Sequence, residues 1–275
     1  MDKVNRTSNF EELVWYFLPT VVLVPPLGLP VNAAVLRLLL GKPGICSTSE
    51  VFILNLAVFD MLFCFTVVVE YINFLCNTTL ENSRFLSWRL SQAGGPMLLC
   101  VLSLDAYMAV CRPLIFLRLK DPRFRLSLCL LLSTLALASC GLAKVVVVSN
   151  IVTVVGILAV AMLTISTCNI LILRSLRQSG PGRKELHPVK KQAFKTVLTA
   201  LVMVEFHYLP SLTESLIKVL FPSLLPPYSI LTSITFLILS MSSFVQPLSY
   251  LVRTKQLPKI GCNRRAAAEA KTTAS

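Results

Sequence analysis

Residues 49–75, SEVFILNLAVFDMLFCFTVVVEYINFL, form an almost uninterrupted apolar segment. Within 51–69 the polar residues are Asn55, Asp60 and Thr66, and they are well separated. An α-helix rises about 1.5 Å per residue, so about 20 apolar residues cross the hydrocarbon core of a bilayer. A helix on the surface of a soluble protein would carry a polar face along its length. The segment therefore predicts a membrane-spanning helix.

Six further segments are long and apolar enough to span: 14–40, 84–111, 124–146, 147–178, 192–220 and 226–252. The 275 residues are 55% hydrophobic and 14% charged, which excludes a water-soluble globular protein. In lipid every backbone group must be bonded within its own helix, so we predict an all-α membrane protein, a seven-transmembrane-helix bundle. Because 126–173 is one apolar block, too long for one span and too short for three, we expect a turn between Gly141 and Asn150.

The 26 lysines and arginines are shared unequally between the two ends of this bundle. Twenty lie on the side of 41–48, 112–125, 174–195 and 253–275, counting Arg37 at the end of the first span. The other side carries six: Lys3, Arg6, Arg84, Arg89, Lys144 and Lys218. Such an excess marks the cytoplasmic face, so the N-terminus is predicted outside and the C-terminus in the cytoplasm. Long uncharged runs separate the bases, so the net charge of +13 does not indicate nucleic-acid binding.

This orientation divides the chain into an extracellular N-terminus, 1–13, a transmembrane domain, 14–252, and a cytoplasmic tail, 253–275. Glycosylation sequons at Asn5 and Asn77 fall on the predicted outside, although each could occur by chance.

The chain carries no pattern typical of an enzyme. It has no metal-ligand spacing and no glycine-rich phosphate loop, and its two histidines, His187 and His207, lie in different contexts. We therefore expect no catalytic activity. Cys262 in the tail is either a palmitoylation site or a plain thiol.

Polar residues within the spans point to function, because an Asp inside a bilayer costs about 2.5–3.5 kcal/mol and usually faces the bundle interior. Asn32 and Asp60 lie near the middle of the first two spans. The motifs along the chain are GLPVNAAVL at 28–36, LNLAVFD at 54–60, LSLDAYMAVCRPL at 102–114, FHYLP at 206–210 and QPLSY at 246–250. In this order and depth they resemble helices 1, 2, 3, 6 and 7 of the rhodopsin-like G-protein-coupled receptors. The FHYLP and RPL phrasing is similar to the branch of nucleotide, protease-activated and small-acid receptors.

The resemblance implies a multi-pass receptor of the plasma membrane. An extracellular ligand would enter between the helices, and helix 6 would then swing outward to admit a heterotrimeric G protein. Pro210 would be the hinge, because proline removes a backbone hydrogen bond and bends a helix. Pro247 and Tyr250 would be the corresponding element of helix 7. The alternative for each of them is a structural kink without a switching role.

The resemblance also implies a pocket for water and a sodium ion around Asp60. Its other members would be Asn32, Ser242, Ser243 and Gln246. The family has Asn or Asp at the position of Gln246, and often a hydroxyl where Gly95 stands, which puts sodium binding itself in question. The alternative is an Asp60 with a purely structural role.

The sequence Asp105-Ala106-Tyr107 departs from the family, which carries Arg in the middle position. That Arg pairs with the preceding Asp at rest and reaches the G protein in the active state. Alanine does neither, so we expect weak or no conventional G-protein activation. Arg112 and Arg118 are the conceivable partners left for Asp105.

The family's lid, a long loop between helices 4 and 5, is almost absent. The family's cysteine at the top of helix 3 would fall near Glu81, which is not cysteine. Cys76 could then pair with Cys140 alone, if their Cα atoms approach within about 7 Å.

Ligand contacts are expected from span 3 and from the FHYLP motif. Trp88, Arg89 and Gln92 are spaced i, i+1 and i+4 and can share a face, and Tyr208 follows from the motif. The bases Arg84, Lys144 and Lys218 at the rim favour an anionic ligand, since a cationic rim attracts anions. The alternative is neutralisation of these bases by acids within the spans: Glu70, Glu205 and Glu214.

Two other functions compete with a signalling receptor. Ala106 and the missing lid favour a non-signalling decoy or heteromer partner derived from such a receptor. A small transporter is disfavoured because the chain has no inverted repeat. The cytoplasmic bases at 118–125 and 183–195 contact either the G protein or anionic membrane lipid.

We expect epitope tags on the two ends of the chain to lie in different compartments, because seven spans place the termini on opposite faces. In intact cells, antibody should label the N-terminal tag, and it should label the C-terminal tag after permeabilisation alone. Labelling of both tags under the same condition would contradict the predicted topology.

Overall fold

A computed structural model describes residues 2–41, 50–76, 86–118, 121–142, 149–177, 188–221, 223 and 230–254. Every secondary-structure element in these residues is a helix. In chain order the helices are α1 (Asp2–Leu40), α2 (Glu50–Leu75), α3 (Leu86–Cys111), α4 (Pro113–Arg118), α5 (Pro122–Leu142), α6 (Ser149–Arg177), α7 (Pro188–Leu220) and α8 (Ile230–Arg253).

The seven long helices match the seven predicted segments in order, and α4 is a short extra helix after α3. The division of the apolar block 126–173 into two helices is confirmed, since α5 ends at Leu142 and α6 begins at Ser149. Helix α1 already begins at Asp2, so residues 2–13, which were predicted to be an extracellular terminus, are helical.

Within the described residues, five helices are long and apolar enough to cross a membrane: α1, α2, α3, α6 and α8. The qualifying parts of α1 and α6 are Phe17–Leu40 and Val155–Arg177. Helix α7 carries Glu205, Glu214 and Lys218 along its length. The chain is therefore a helical membrane protein, while the count of seven spans and the orientation of the termini stay predictions.

Helix α3 is the centre of the bundle. It packs against α2, α4, α5, α6 and α8. The outer helices also contact one another: α1 packs against α2 and α8, and α7 packs between α6 and α8. Apolar side chains from α2, α3, α6 and α7 form the main core, including Phe59, Leu98, Ile165 and Val204.

Besides the apolar core, many polar side chains face inward and many large apolar ones face outward. Asn32, Gln92 and Ser240 are fully buried, whereas Leu163 is 70% exposed and Phe65 is 62% exposed. A soluble protein shows the opposite arrangement, because water solvates polar groups and excludes apolar ones. Lipid surrounds such a surface without cost, which accounts for the exposed leucines and phenylalanines.

Glycines allow α2 and α3 to approach closely. A Cβ at Gly94 would lie 1.9 Å from Cε1 of Phe59, so the buried Phe59 ring occupies the place of a side chain at this position. Gly156 on α6 is the opposite case, with nothing within 4 Å of an added Cβ.

We expect Gly94→Ala to lower the thermal midpoint of the detergent-purified protein, because overpacking of a filled core costs about 1–3 kcal/mol. Gly156→Ala is the matched control, and it should leave the midpoint unchanged or raise it slightly, since alanine favours a helix. Equal midpoints for the two variants would show that Phe59 moves away without cost.

Candidate functional site

A cavity of about 140 Å³ lies between five helices in the half of the bundle that is predicted to face the cytoplasm. Asp60 of α2 lies at its deep end and Arg253 of α8 at its outer end. The other walls are contributed by Asn32, Ile53, Leu56, Ala57, Leu99, Leu102, Ala200, Met203, Val204, Gln246, Pro247, Ser249 and Tyr250. Its volume is sufficient for several water molecules.

Three residues that line this cavity have buried polar atoms without a hydrogen-bond partner: Oδ1 of Asn32, Oδ2 of Asp60 and Nε2 of Gln246. Burying such an atom costs about 1–3 kcal/mol when no partner is supplied. Water or a cation in the cavity would remove this cost. Two of the three atoms are oxygens, the ligand type that hard cations prefer, so the residues fit a sodium ion.

The position of Asn32 is fixed by the proline of α8. Pro247 has no N–H, so the carbonyl of Ser243, four residues earlier, lacks its helical donor. Nδ2 of Asn32 donates to this carbonyl at 2.8 Å and to the carbonyl of Gly28 at 2.9 Å. The asparagine of α1 thus replaces the bond that Pro247 removes from α8.

Tyr208 fills the space beside Gly95. A Cβ at Gly95 would lie 2.8 Å from the Tyr208 hydroxyl, which in turn lies 3.3 Å from the Ser242 hydroxyl. Tyr208 is 1% exposed, so it is a core residue of α7 in this structure. The glycine that departs from the family pattern is explained by the tyrosine that occupies its place.

The predicted ligand-contacting residues of α3 are engaged within the protein. Nε2 of Gln92 donates to the Ser211 hydroxyl of α7 at 2.7 Å. Trp88 packs against the edge-to-face pair Phe17 and Phe236, whose ring centroids are 6.0 Å apart. The side chain of Arg89 lies outside the described residues.

Glu214 neutralises Lys218 at the predicted outer end, as expected from the alternative to an anionic ligand. Lys218 pairs with Glu214 at 2.7 Å and donates to the Thr232 hydroxyl at 2.9 Å. Glu214 also accepts a hydrogen bond from the Thr235 hydroxyl. Lys218 is therefore removed from the cationic rim, and Arg84 and Lys144 lie outside the described residues.

The two other acids bond to serines. Glu70 accepts hydrogen bonds from the backbone N–H of Ser87, at 3.0 Å, and from the Ser87 hydroxyl. Glu205 accepts one from the Ser166 hydroxyl. These serines were not predicted, because nothing in the sequence shows which helix faces each acid.

Asp105 pairs with Arg125, which was not among its expected partners. Its Oδ1 lies 2.6 Å from Nη2 of Arg125 on α5, while Arg112 and Arg118 are exposed. The expected partners Arg112 and Arg118 are exposed, whereas Arg125, in the first turn of α5, is buried with Asp105 where α5 packs on α3. Tyr107, two residues after Asp105, is half-buried.

No protein-family model matches this chain, and no curated protein matches it. The resemblance to rhodopsin-like receptors therefore remains an expectation from the sequence motifs.

The remaining predicted modification sites are placed as follows. Asn5 lies on α1, with its side chain outside the described residues, and Asn77 and Cys262 are outside them altogether. Cys76 is an exposed free thiol, so the conceivable bridge to Cys140 is not formed in this structure. Cys140 lies near the end of α5, with its side chain outside the described residues.

We expect Asp60→Asn to raise the thermal midpoint by a few degrees in sodium-free buffer, because it removes the charge of a buried carboxyl with an unpartnered oxygen, worth about 1–3 kcal/mol. Asp121→Asn, at an exposed helix cap that tolerates either residue, is the matched control. Sodium chloride, compared with choline chloride, should raise the midpoint of the wild type and not of Asp60→Asn. A lower midpoint for Asp60→Asn would show that the carboxylate is satisfied by the fold.

Proposed function

We propose that this protein is a rhodopsin-like receptor of the plasma membrane that binds an extracellular ligand and signals through a heterotrimeric G protein. The observation that carries this proposal is the cavity between α1, α2, α3, α7 and α8, whose mainly apolar walls contain a few polar side chains. It joins the motif residues Asn32, Asp60, Pro247 and Tyr250 into one site, although they are far apart in sequence.

The cavity is built so that movement of α7 would open it. Ala200, Met203 and Val204 form its α7 wall, and all three precede Pro210. A bend at Pro210 would swing this part of the helix outward, because the proline leaves a carbonyl of the preceding turn without its bond. On the opposite wall, the Tyr250 hydroxyl donates to Glu50 at 3.3 Å and ties the end of α8 to α2.

The short helix α4 offers a surface for a cytoplasmic partner. Leu114, Ile115 and Leu117 are exposed on it, and Arg112 and Arg118 lie at its ends. An apolar patch flanked by bases at the predicted cytoplasmic face suits docking of a G protein.

An anionic ligand stays part of this proposal, with Arg89 as its expected partner. Lys218 no longer contributes, because Glu214 neutralises it. The extracellular half would then present Arg89 as the cation on the same helix as Gln92 and Trp88.

The second candidate function is a non-signalling decoy or heteromer partner. It is favoured by Ala106 and by the burial of Asp105 in a pair with Arg125. Ala106 lacks the group that the family presents to its G protein, and the buried pair holds Asp105 inside the bundle.

Ala106→Arg should increase nucleotide exchange on co-expressed chimeric G proteins by roughly tenfold over a weak wild-type signal. This increase corresponds to a coupling free energy of about 1–2 kcal/mol. Side chains on a helix lean toward its N-terminus, so an arginine here would project over Leu102 into the cavity. The measurement is nucleotide exchange normalised to surface expression.

Ala109→Arg is the matched control, because it adds the same charge to an exposed position one turn away on α3. A surface-expressed protein that fails to signal both as wild type and as Ala106→Arg would favour the decoy. Robust exchange by the wild type would show that the missing arginine does not limit activation.

A further inference from the structure

We propose that Arg125 is the positioning residue that holds the cytoplasmic end of α3 at rest, in place of the arginine that position 106 lacks. In the family one arginine both restrains helix 3 and contacts the G protein. In this chain the two roles belong to different positions, 125 for the restraint and 106 for the G-protein contact. The signalling part of this inference rests on the proposed receptor function.

Arg125 connects four helices through one guanidinium group. Its Nη2 lies 2.6 Å from Oδ1 of Asp105 on α3, and the side chains of Arg125 and Asp105 are 2% and 3% exposed. Its guanidinium carbon lies 5.5 Å from the ring centroid of Phe52 on α2 and 5.1 Å from that of Phe116 on α4. We call this group of four residues the Arg125 clamp.

The start of α5 fixes the register that places Arg125 in the clamp. Asp121 caps the helix, with its Oδ1 accepting from the N–H of Arg123 at 2.9 Å. Proline at the first helical position, here 122, suits a helix start because its missing N–H would have no partner there. The N–H of Arg125 then donates to the carbonyl of Asp121 at 3.3 Å, which closes the first turn.

The burial of the clamp makes it a firm restraint. Breaking a buried ion pair by removing one partner leaves an uncompensated charge and is strongly destabilising. Aromatic rings within about 6 Å of a guanidinium add further attraction. Release of α3 from the clamp therefore requires loss of the pair between Asp105 and Arg125, whose guanidinium is held in place by Phe52 of α2 and Phe116 of α4.

Helix geometry explains why the restraint and the cavity are separate. Leu99, Leu102 and position 106 are spaced i, i+3 and i+7, so Ala106 lies on the face of α3 that lines the cavity. Asp105 is turned by about 100° from it, toward α5. An arginine at 106 and one at 125 would therefore act on different sides of α3.

The first test is a double-mutant cycle on the thermal midpoint of the full-length protein in detergent. Arg125→Gln and Asp105→Asn should each lower the midpoint by roughly 10 °C, and the double variant carrying both changes should lose clearly less than the sum of the two losses. The exchanged pair Asp105→Arg with Arg125→Asp should recover at least half of the loss. Arg125→Lys, which keeps the charge, should lower the midpoint less than Arg125→Gln does, and it replaces Arg125→Gln in the test if that variant does not fold. Arg123→Gln and Arg112→Gln, at exposed positions, are controls with no expected shift. Additive effects in the cycle would overturn the clamp.

The second test measures ligand-independent nucleotide exchange in the Ala106→Arg background. Adding Arg125→Gln should raise basal exchange severalfold, and the exchanged pair should return it toward the Ala106→Arg level. Unchanged basal exchange, in a background that does signal, would overturn the restraint. If the midpoints couple but no variant drives exchange, the receptor function fails and the clamp remains as an architectural element.

Discussion

Lipid cannot donate or accept hydrogen bonds, and this constraint governs the arrangement of every polar side chain in the bundle. Asn32 shows how it acts. Pro247 leaves the carbonyl of Ser243 without a donor inside α8, and an amide from α1 supplies one at 2.8 Å. The proline is therefore tolerated because a neighbouring helix satisfies what it breaks. The same bond holds α1 against α8 and places Asn32 in the wall of the cavity.

Polar contacts between helices form three layers along the bundle. At the predicted outer end, Gln92 bonds to Ser211. In the middle, Asn32 and Asp60 carry oxygens that only cavity contents could satisfy. At the predicted inner end, Asp105 and Arg125 form a buried ion pair. The outer and inner layers join helices by direct bonds between side chains, whereas the unpartnered atoms of the middle layer line a cavity, which suits a site that changes its contents.

The ion pair between Asp105 and Arg125 shows that Ala106 does not leave the end of α3 unrestrained. Asp105 keeps a guanidinium partner, supplied by α5, so the end of α3 is restrained without an arginine at the adjacent position. What the alanine removes is a positive group on the cavity face of the helix. A receptor of this construction would be held firmly at rest and would transmit weakly.

The sequence by itself determined the number and order of the long helices, because an apolar run must be helical in lipid, and it singled out Asn32, Asp60 and Pro247 as interior positions. It also divided the block 126–173 into two helices correctly, since the whole block is too long for one span. It could not determine which helices face one another. Arg125 was counted among the cytoplasmic bases, and Ser87, Ser166 and Ser211 were unremarkable serines, because hydrogen bonds between helices depend on rotation and depth that no local pattern encodes. Only the packed bundle decided that Asp105 meets Arg125 and that Tyr208 fills the space beside Gly95.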